Sequence, residues 1–328
     1  MIAAPKPDAA ALQSGVEVWR GGVSTWECDQ MGHLNVRFYV TRVQEALVGL
    51  AAELGMPLAF SPHAAATLQV REHHIRFLRE ARAAAALRMI GGVVEMGETE
   101  ARLLFTLVHA HSGEPAAAFQ TLVRHMTPGE GRAFPWSKAV RERAAGLMTP
   151  IPAYAAARTL GAESLADRGA GAERAEALGL SLIAAGAVSA RDCDTFGRLA
   201  ADGVIGRMSG GAGRLVDLLR ETATQEADPA AGSAPQRLGA AILEFRLAYL
   251  AWPQAGDRLQ VYSGLTGLDQ RALRIEHWML NPADGQPWAV GQTVTAPLDL
   301  DARKLVPIGP AAQQALTPLT IDALAPPT

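Results

Sequence analysis

Residues 28–35 read CDQMGHLN, and residues 193–200 read CDTFGRLA. The flanks agree as well: GVSTWECDQMGHLN (22–35) lies on AVSARDCDTFGRLA (187–200) at an offset of 165, matching Val, Ser, Cys, Asp, Gly and Leu. Further along the offset becomes 172. It places Glu72 on Glu244, Leu78 on Leu250, Leu87 on Leu259, Gly92 on Gly264, Arg102 on Arg274, GEP (113–115) on GQP (285–287) and Pro135 on Pro307. The change is absorbed near ADPAAGSAPQ (227–236), a Pro/Gly/Ser stretch that reads as loop. One unit of more than about a hundred residues, present twice, is a duplicated domain and not a solenoid of short repeats.

Both copies run through the same order of parts. A short apolar segment precedes the phrase and a helix-period segment follows it. In the first copy Val40, Val43, Leu47, Leu50, Ala51 and Leu54 recur at helical spacing, and LGMP (54–57) ends the run with Gly and Pro. From Val36 to Leu54 that helix would be roughly 28 Å long. Four strand-like runs come next: LQVREHHIRFL (68–78), ALRMIGGVV (86–94), ARLLFTLVHA (101–110) and, after a turn at HSGEP, AAAFQTLVRHM (116–126). One long helix followed by antiparallel strands predicts an α+β fold, a curved sheet wrapped around a central helix.

Bulk composition narrows the class. The 328 residues carry a formal net charge of −3, 49% hydrophobic and 19% charged side chains, which gives no reason to expect a nucleic-acid partner. No apolar run reaches bilayer-spanning length, so no membrane partner is expected. The N-terminal MIAAPKPDAAALQSG lacks the continuous apolar stretch of a signal peptide. The two cysteines, Cys28 and Cys193, occupy the same position in each copy and fit a reducing compartment, so a cytoplasmic location is expected.

Asp29 falls in a loop just ahead of a helix start. Helix-start amides favour an ionised carboxylate and can also receive a developing oxyanion. A carboxylate, a set of N–H donors and His33 make a constellation suited to acyl transfer, with Asp29 as general base or nucleophile. Gly32 lets backbone approach a ligand closely. The same residues also have a structural reading, with Asn35 as helix N-cap, Asp29 as a dipole-compensating carboxylate and His33 as a loop residue.

WECDQMGHLNVRFYV (26–40) resembles the signature of hot-dog-fold acyl-CoA thioesterases, the 4-hydroxybenzoyl-CoA thioesterase-like group, on Asp29, Gly32, His33, Asn35 and Tyr39. Leu34 stands for the usual Val, and Val36 where many members have a second Asn. The resemblance implies a catalytic carboxylate at Asp29 and helix-start amides that polarise the thioester carbonyl. It implies one helix wrapped by an antiparallel sheet, coenzyme A as part of the substrate and no other cofactor. Single domains of this group pair two-fold; a fused tandem makes that pair internal, as in plant acyl-ACP thioesterases. A hot-dog hydratase motif has a different Asp–Asn–His spacing and is disfavoured.

The second copy keeps Cys193 and Asp194 but has Arg198 for His33, Ala200 for Asn35 and Val204 for Tyr39. Its helix region also holds Gly203, Gly206, Gly210, Gly211 and Gly213. Each internal Gly costs about 1 kcal/mol relative to Ala, so this helix depends on tertiary packing, through close contact or through a break. Arg71, Arg76, Arg79, Arg82 and Arg88 are present in the first copy alone. They suit either the phosphates of coenzyme A or a solvated sheet edge interleaved with Glu72 and Glu80. His73 and His74 point to opposite faces of a strand, and no cluster has metal-ligand spacing. Trp26 and Tyr39 line an acyl pocket or have a core or rim role.

The expected organisation is a first hot-dog domain at 17–135, a connecting helix and linker at 136–181, a second domain with degenerate motif at 182–308, and a loosely ordered tail at 309–328. The expected activity is hydrolysis of an acyl-CoA or acyl-carrier-protein thioester. Asp29 acts, amides near Gly32–Asn35 hold the oxyanion, and His33 and Asn35 orient substrate or water. Trp26, Gly32, Tyr39, Arg76 and Arg79 contact substrate, and Asp194 marks a decayed or specialised second site. The alternative is a non-catalytic acyl- or CoA-binding module. Beyond the internal pseudo-dimer, further homo-oligomerisation is left open.

Overall fold

The computed structural model describes residues 15–161, 163–209, 217, 219, 221 and 237–325. The first copy comprises β1 (Val16–Gly22), α1 (Val36–Glu53), β2 (Thr67–Phe77), β3 (Ala86–Met96), β4 (Glu100–His109) and β5 (Pro115–Met126). The second comprises β6 (Ser181–Ala187), α4 (Ala201–Met208), β7 (Leu238–Tyr249), β8 (Arg258–Leu268), β9 (Leu273–Leu280) and β10 (Pro287–Asp299). Between them run α2 (Lys138–Ala145) and α3 (Ala172–Ala177), and the chain closes with β11 (Lys304–Leu305) and α5 (Pro310–Leu316). The loop expected at 227–236 and Gly210, Gly211 and Gly213 lie outside the described residues, as do 1–14.

All strands join one 11-stranded antiparallel sheet in the order β1-β3-β4-β5-β2-β7-β10-β9-β8-β6, with β11 on β10. The order reads the same from either end once each strand is replaced by its repeat counterpart, so a pseudo-two-fold axis passes between β2 and β7. The short apolar segment ahead of each phrase is a fifth strand, β1 or β6, paired with β3 or β8. The duplicated α+β unit read from the repeat, and the double hot-dog architecture that the resemblance implies, are the observed ones.

The helix α1 spans Val36–Glu53, as its periodicity predicts. Val40, Val43, Leu47, Leu50, Ala51 and Leu54 are at most 1–2% exposed and form one core with Leu87, Leu103, Phe105 and Phe119 of the sheet. The same apolar cluster continues into α4 through Val204, Ile205 and Met208, so the two halves share a core. At Gly206 an added Cβ would sit 3.1 Å from Arg37 Cδ, which answers the question of that helix's glycines at this position: close contact with α1. Arg37 Nε donates to Asp202 Oδ2 at 2.9 Å, and these two residues occupy the same repeat position.

The segment after the first copy crosses the sheet's other face. Tyr154 and Ala155 pack on Leu104 and Ala118, while Leu165, Ala175 and Leu180 pack on Trp278, Leu280 and Val290. The expectation of a loosely ordered tail is corrected. Leu316 is buried with Leu265, Leu273 and Ile275 of the second-copy sheet, and Leu324 with Leu165, Leu180 and Trp278. The tail repeats α2 at offset 172: Val140 and Ala144 correspond to Ala312 and Leu316, and the parallel bridge Val93–Met148 corresponds to Leu265–Thr320.

At the seam, β2 and β7 pair antiparallel with Ile75 opposite Phe245 and His74 opposite Arg246. Arg246 Nε donates to Glu72 Oε1 at 2.9 Å, and His74 Nε2 meets Glu244 Oε1 at 2.7 Å. The linker completes both pairs. Glu244 also accepts from the amides of Arg158 and Thr159 at 3.0 and 2.9 Å, and Arg246 donates to the carbonyls of Gly161 and Glu163. Removing one partner of a buried ion pair typically costs about 3–5 kcal/mol, against about 0–1 kcal/mol for an exposed pair. Glu72→Gln, which strands the buried Arg246 guanidinium, is therefore expected to lower urea-unfolding stability by about 3 kcal/mol or more. Glu114→Gln, which breaks the exposed Arg79–Glu114 pair, should stay within about 1 kcal/mol. Equal effects from the two substitutions would show that the seam charges do not hold the halves together.

Candidate functional site

The phrase folds identically in both copies. Cys28 bridges Leu34 as Cys193 bridges Leu199; Asp29 N donates to His33 O and Gly32 N to Asp29 O, as Asp194 N does to Arg198 O and Gly197 N to Asp194 O. Gly32 (φ 77°) and Gly197 (φ 76°) supply the left-handed residue that closes each turn, a conformation glycine adopts without a Cβ penalty. The loop is then tied to its helix. Glu27 accepts from Ser24 N and forms a buried ion pair with Arg42, and Asp192 and Arg207 repeat that pair at 3.4 Å in the second copy.

Within this frame Asp29 Oδ1 accepts from Met31 N at 2.8 Å, and Oδ2 lies 3.1 Å from His33 Nδ1. The two side chains are 19% and 16% exposed, sheltered but reachable. Burial pushes the Asp29 carboxyl up, but the His33 hydrogen bond and charge and the loop amides outweigh it and hold it below the usual carboxylate value. Burial likewise pushes His33 down, and Asp29, with help from Glu80, outweighs it and raises the imidazole above 6.5. The pair is thus an ionised carboxylate beside a protonated or readily protonated imidazole near neutrality.

Asn35 is the N-cap of α1, its Oδ1 accepting from Arg37 N at 3.0 Å. Three of the four amides of residues 32–35, the expected oxyanion donors, are engaged within the fold. Gly32 N is spent on Asp29 O, Leu34 N on Ala81 O at 2.7 Å and Asn35 N on Glu27 O at 3.0 Å. These bonds close the turn and pin it to the 80–82 segment, where His33 also bridges Arg82. Among the helix-start amides, which lack the usual acceptor one turn back, Arg37 N bonds to Asn35 Oδ1 and Phe38 N to Asn35 O, and Val36 is the first helical residue.

Tyr39 is buried, edge-on to Phe77 at 5.2 Å, and its hydroxyl meets the Ala81 backbone. Trp26, by contrast, is 74% exposed and stands edge-on to Phe38 at 5.5 Å, beside the Asp29 loop. The first-copy arginines do not form one cluster. Arg76 donates to Ala156 O under the linker, Arg79 pairs with Glu114, Arg82 with Glu80 and Arg88 with Glu17. His73 and His74 take opposite faces as expected: His73 is buried against Thr121, its basicity depressed by burial to about 3, and His74 faces the linker. In the second copy Arg198 Nη2 approaches Asp194 Oδ2 at 3.2 Å, so a guanidinium stands where the first copy has an imidazole.

Four residues escape a reading of the phrase alone. Glu27 and Arg42 were detectable as an acid and a base that recur at the same positions in both copies. Glu80, which faces His33, lies outside the motif. Arg303, whose Nη2 donates to Met31 O at 2.8 Å, lies 272 residues from its partner.

The Thioesterase-like superfamily matches residues 23–144 and 188–316. An acyl-ACP thioesterase from Bacteroides thetaiotaomicron is similar in structure, with TM-score 0.59 at 12% identity, covering 87% of this chain and 99% of that one. The 12:0-ACP thioesterase from Umbellularia californica gives TM-score 0.59 at 12% identity over 90% and 98%. At such identity the likeness concerns the fold. In sequence, 74 residues are 36% identical to the L-carnitine dehydrogenase/betainyl-CoA thioesterase of Agrobacterium fabrum, 23% of this chain and 15% of that protein's length. With the family matched over both copies, the chain belongs to the Thioesterase-like superfamily, in a tandem, double hot-dog form.

Proposed function

We propose that the chain hydrolyses an acyl thioester of coenzyme A or acyl carrier protein, and that the working site is the Asp29 loop of the first copy. The observation that carries this reading is the Asp29–His33 pair: a sheltered carboxylate kept ionised, hydrogen-bonded through one oxygen to Met31 N and through the other to a titratable imidazole. Asp29 takes a proton from water as the water oxygen bonds to the thioester carbonyl carbon. The C–S bond then breaks, and the thiolate leaves with a proton. Each carboxylate oxygen retains a lone pair for this beyond the bonds it already accepts. Direct attack by Asp29 through an anhydride is the other route the same geometry supports. His33 orients and balances the carboxylate, and the Val36 amide at the helix start polarises the carbonyl.

Asn35 serves by capping α1 and so fixing where that amide points. Gly32 gives the turn its shape, Tyr39 holds the helix against the 80–82 segment, and exposed Trp26 stands on Phe38 beside the loop, where it can meet substrate. Arg79, on the surface, is available to an anionic carrier, whereas Arg76 holds the linker. The carrier is drawn from the relatives: two are ACP thioesterases by name and one a betainyl-CoA thioesterase.

Free-thiol release from short, long and aryl acyl-CoAs and from an acyl carrier protein thioester tests the proposal. Asp29→Asn is expected to lower kcat by about 10²–10⁴-fold, the range for a positioned acid–base group, with substrate affinity retained. Asp194→Asn should leave turnover near that of the wild type. No turnover on any substrate, with acyl-CoA still bound equally by wild type and Asp29→Asn, would favour the acyl-binding module instead.

The pair also sets a pH signature. Asp29 is held below 3.8, so its share of loop stability is present above that value and is lost as pH falls through its folded value. His33 is raised above 6.5, so its share is present below 6.5 and lost as pH rises through the folded value. A ring-proton NMR titration should place the His33 midpoint above 6.5, and Asp29→Asn should bring it down. A midpoint unmoved by Asp29→Asn would dissolve the pair.

A further inference from the structure

We propose that Arg303, carried by the second copy, is a positioning residue that fixes the Asp29–His33 pair of the first. The inference rests on the reading of that pair as the working site. Arg303 sits in the turn between β10 and β11, which Asp299 organises by accepting from the amides of Asp301 and Ala302. Its guanidinium crosses to the other copy. Nη2 donates to Met31 O at 2.8 Å, and Nη1, buried and otherwise without a hydrogen-bond partner, lies 3.7 Å from Glu80 Oε1. Met31 is the residue whose own amide holds Asp29 Oδ1, and Glu80 is the carboxylate that faces His33. One side chain therefore grips both sides of the pair.

The backbone at this position is one that an arginine occupies only at a cost. Arg303 adopts φ 52°, the left-handed region that disfavours residues with a Cβ. Its counterpart at offset 172 is Gly131, at φ 68° in the equivalent turn of the first copy. Glycine is the unstrained choice in both turns. An arginine replaces it only in the turn that reaches the intact motif. The second-copy loop, opposite the Gly131 side, receives its cation from its own Arg198 instead. A motif in one half and its clamp in the other means that neither copy alone holds a complete site.

The groups that face His33 are Asp29 from its own loop, Glu80 and the adjoining Arg82 from the segment after β2, and Arg303 from the second copy. The Arg303 charge opposes protonation of His33, against the pull of Asp29 and Glu80. Arg303→Gly, the residue already found at position 131, removes both the clamp and the backbone strain. The expected result is a melting temperature no lower than wild type, kcat/KM down by about 10–100-fold, the size of effect a misplaced reacting group produces, and a His33 midpoint shifted upward. Arg303→Lys should restore the midpoint while recovering kcat/KM only in part, because an ammonium cannot reproduce the two-pronged grip. Unchanged kcat/KM and an unchanged His33 midpoint in Arg303→Gly would overturn the proposal while leaving the thioesterase reading intact. Should the wild type release no thiol from any thioester, that reading fails, and the His33 midpoint with hydrogen exchange of the 29–33 amides still decides whether the clamp exists.

Discussion

The seam between β2 and β7 is the constraint on which the rest depends. Each strand alone would be a sheet edge with unpaired backbone groups and a half-buried charge row, an arrangement open to pairing with other chains. Joined, Glu72 meets Arg246 and Glu244 meets His74 across the pseudo-two-fold axis. Buried charges are tolerable only when paired and fully hydrogen-bonded, and here the remaining bonds come from linker backbone at Arg158, Thr159, Gly161 and Glu163. The linker therefore does more than connect the copies. It is part of the polar network that lets the two half-sheets become one.

Covalent fusion changes what a two-fold interface is allowed to contain. In a symmetric dimer, a residue near the axis faces its own copy, so a charge there meets a like charge. Arg37 and Asp202 occupy one repeat position, and they pair at 2.9 Å where α1 and α4 touch. That contact is open only to a chain whose halves have diverged. Gly131 and Arg303 make the same point at the sheet ends, and His33 and Arg198 in the two loops. Duplication supplies two equivalent halves, and divergence turns an identical position into a complementary pair.

What was legible in the sequence follows from how local its cause is. The offset of the repeat fixed the domain count and the pseudo-symmetry. The apolar spacing of α1 predicted its span, since helix burial depends on residues three and four apart. The four long strands were readable from their patterns. The strand β1, VEVWRGG, was not, because its burial alternates only partly and its place depends on pairing with β3. Packing of the tail was hidden by an Ala/Pro/Thr-rich composition, although the α2 counterpart lay at the same offset as the strands. The arginine series looked like one cluster in sequence, yet it is spread over β2, the segment after it and β3, and Arg76, Arg79, Arg82 and Arg88 each meet a different partner. Arg303 was beyond reach because nothing local connects it to Met31.

The two loops separate what the motif does for the fold from what it can do chemically. Asp29 and Asp194 both accept from the amide two residues on, Met31 or Phe196, at 2.8 Å. Both loops have the same bridges, the same left-handed glycine and the same acid–arginine tie to the helix. An Asp in this position is therefore explained by turn geometry alone, and its presence in a copy says nothing about reactivity. The difference lies four residues on. A guanidinium keeps its proton across the ordinary pH range, so Asp194 faces a fixed cation. An imidazole exchanges its proton near neutrality, so His33 can balance a carboxylate that gains and loses one. The fold preserves the carboxylate in both halves; the residue at 33 or 198 decides whether that carboxylate faces an imidazole or a guanidinium.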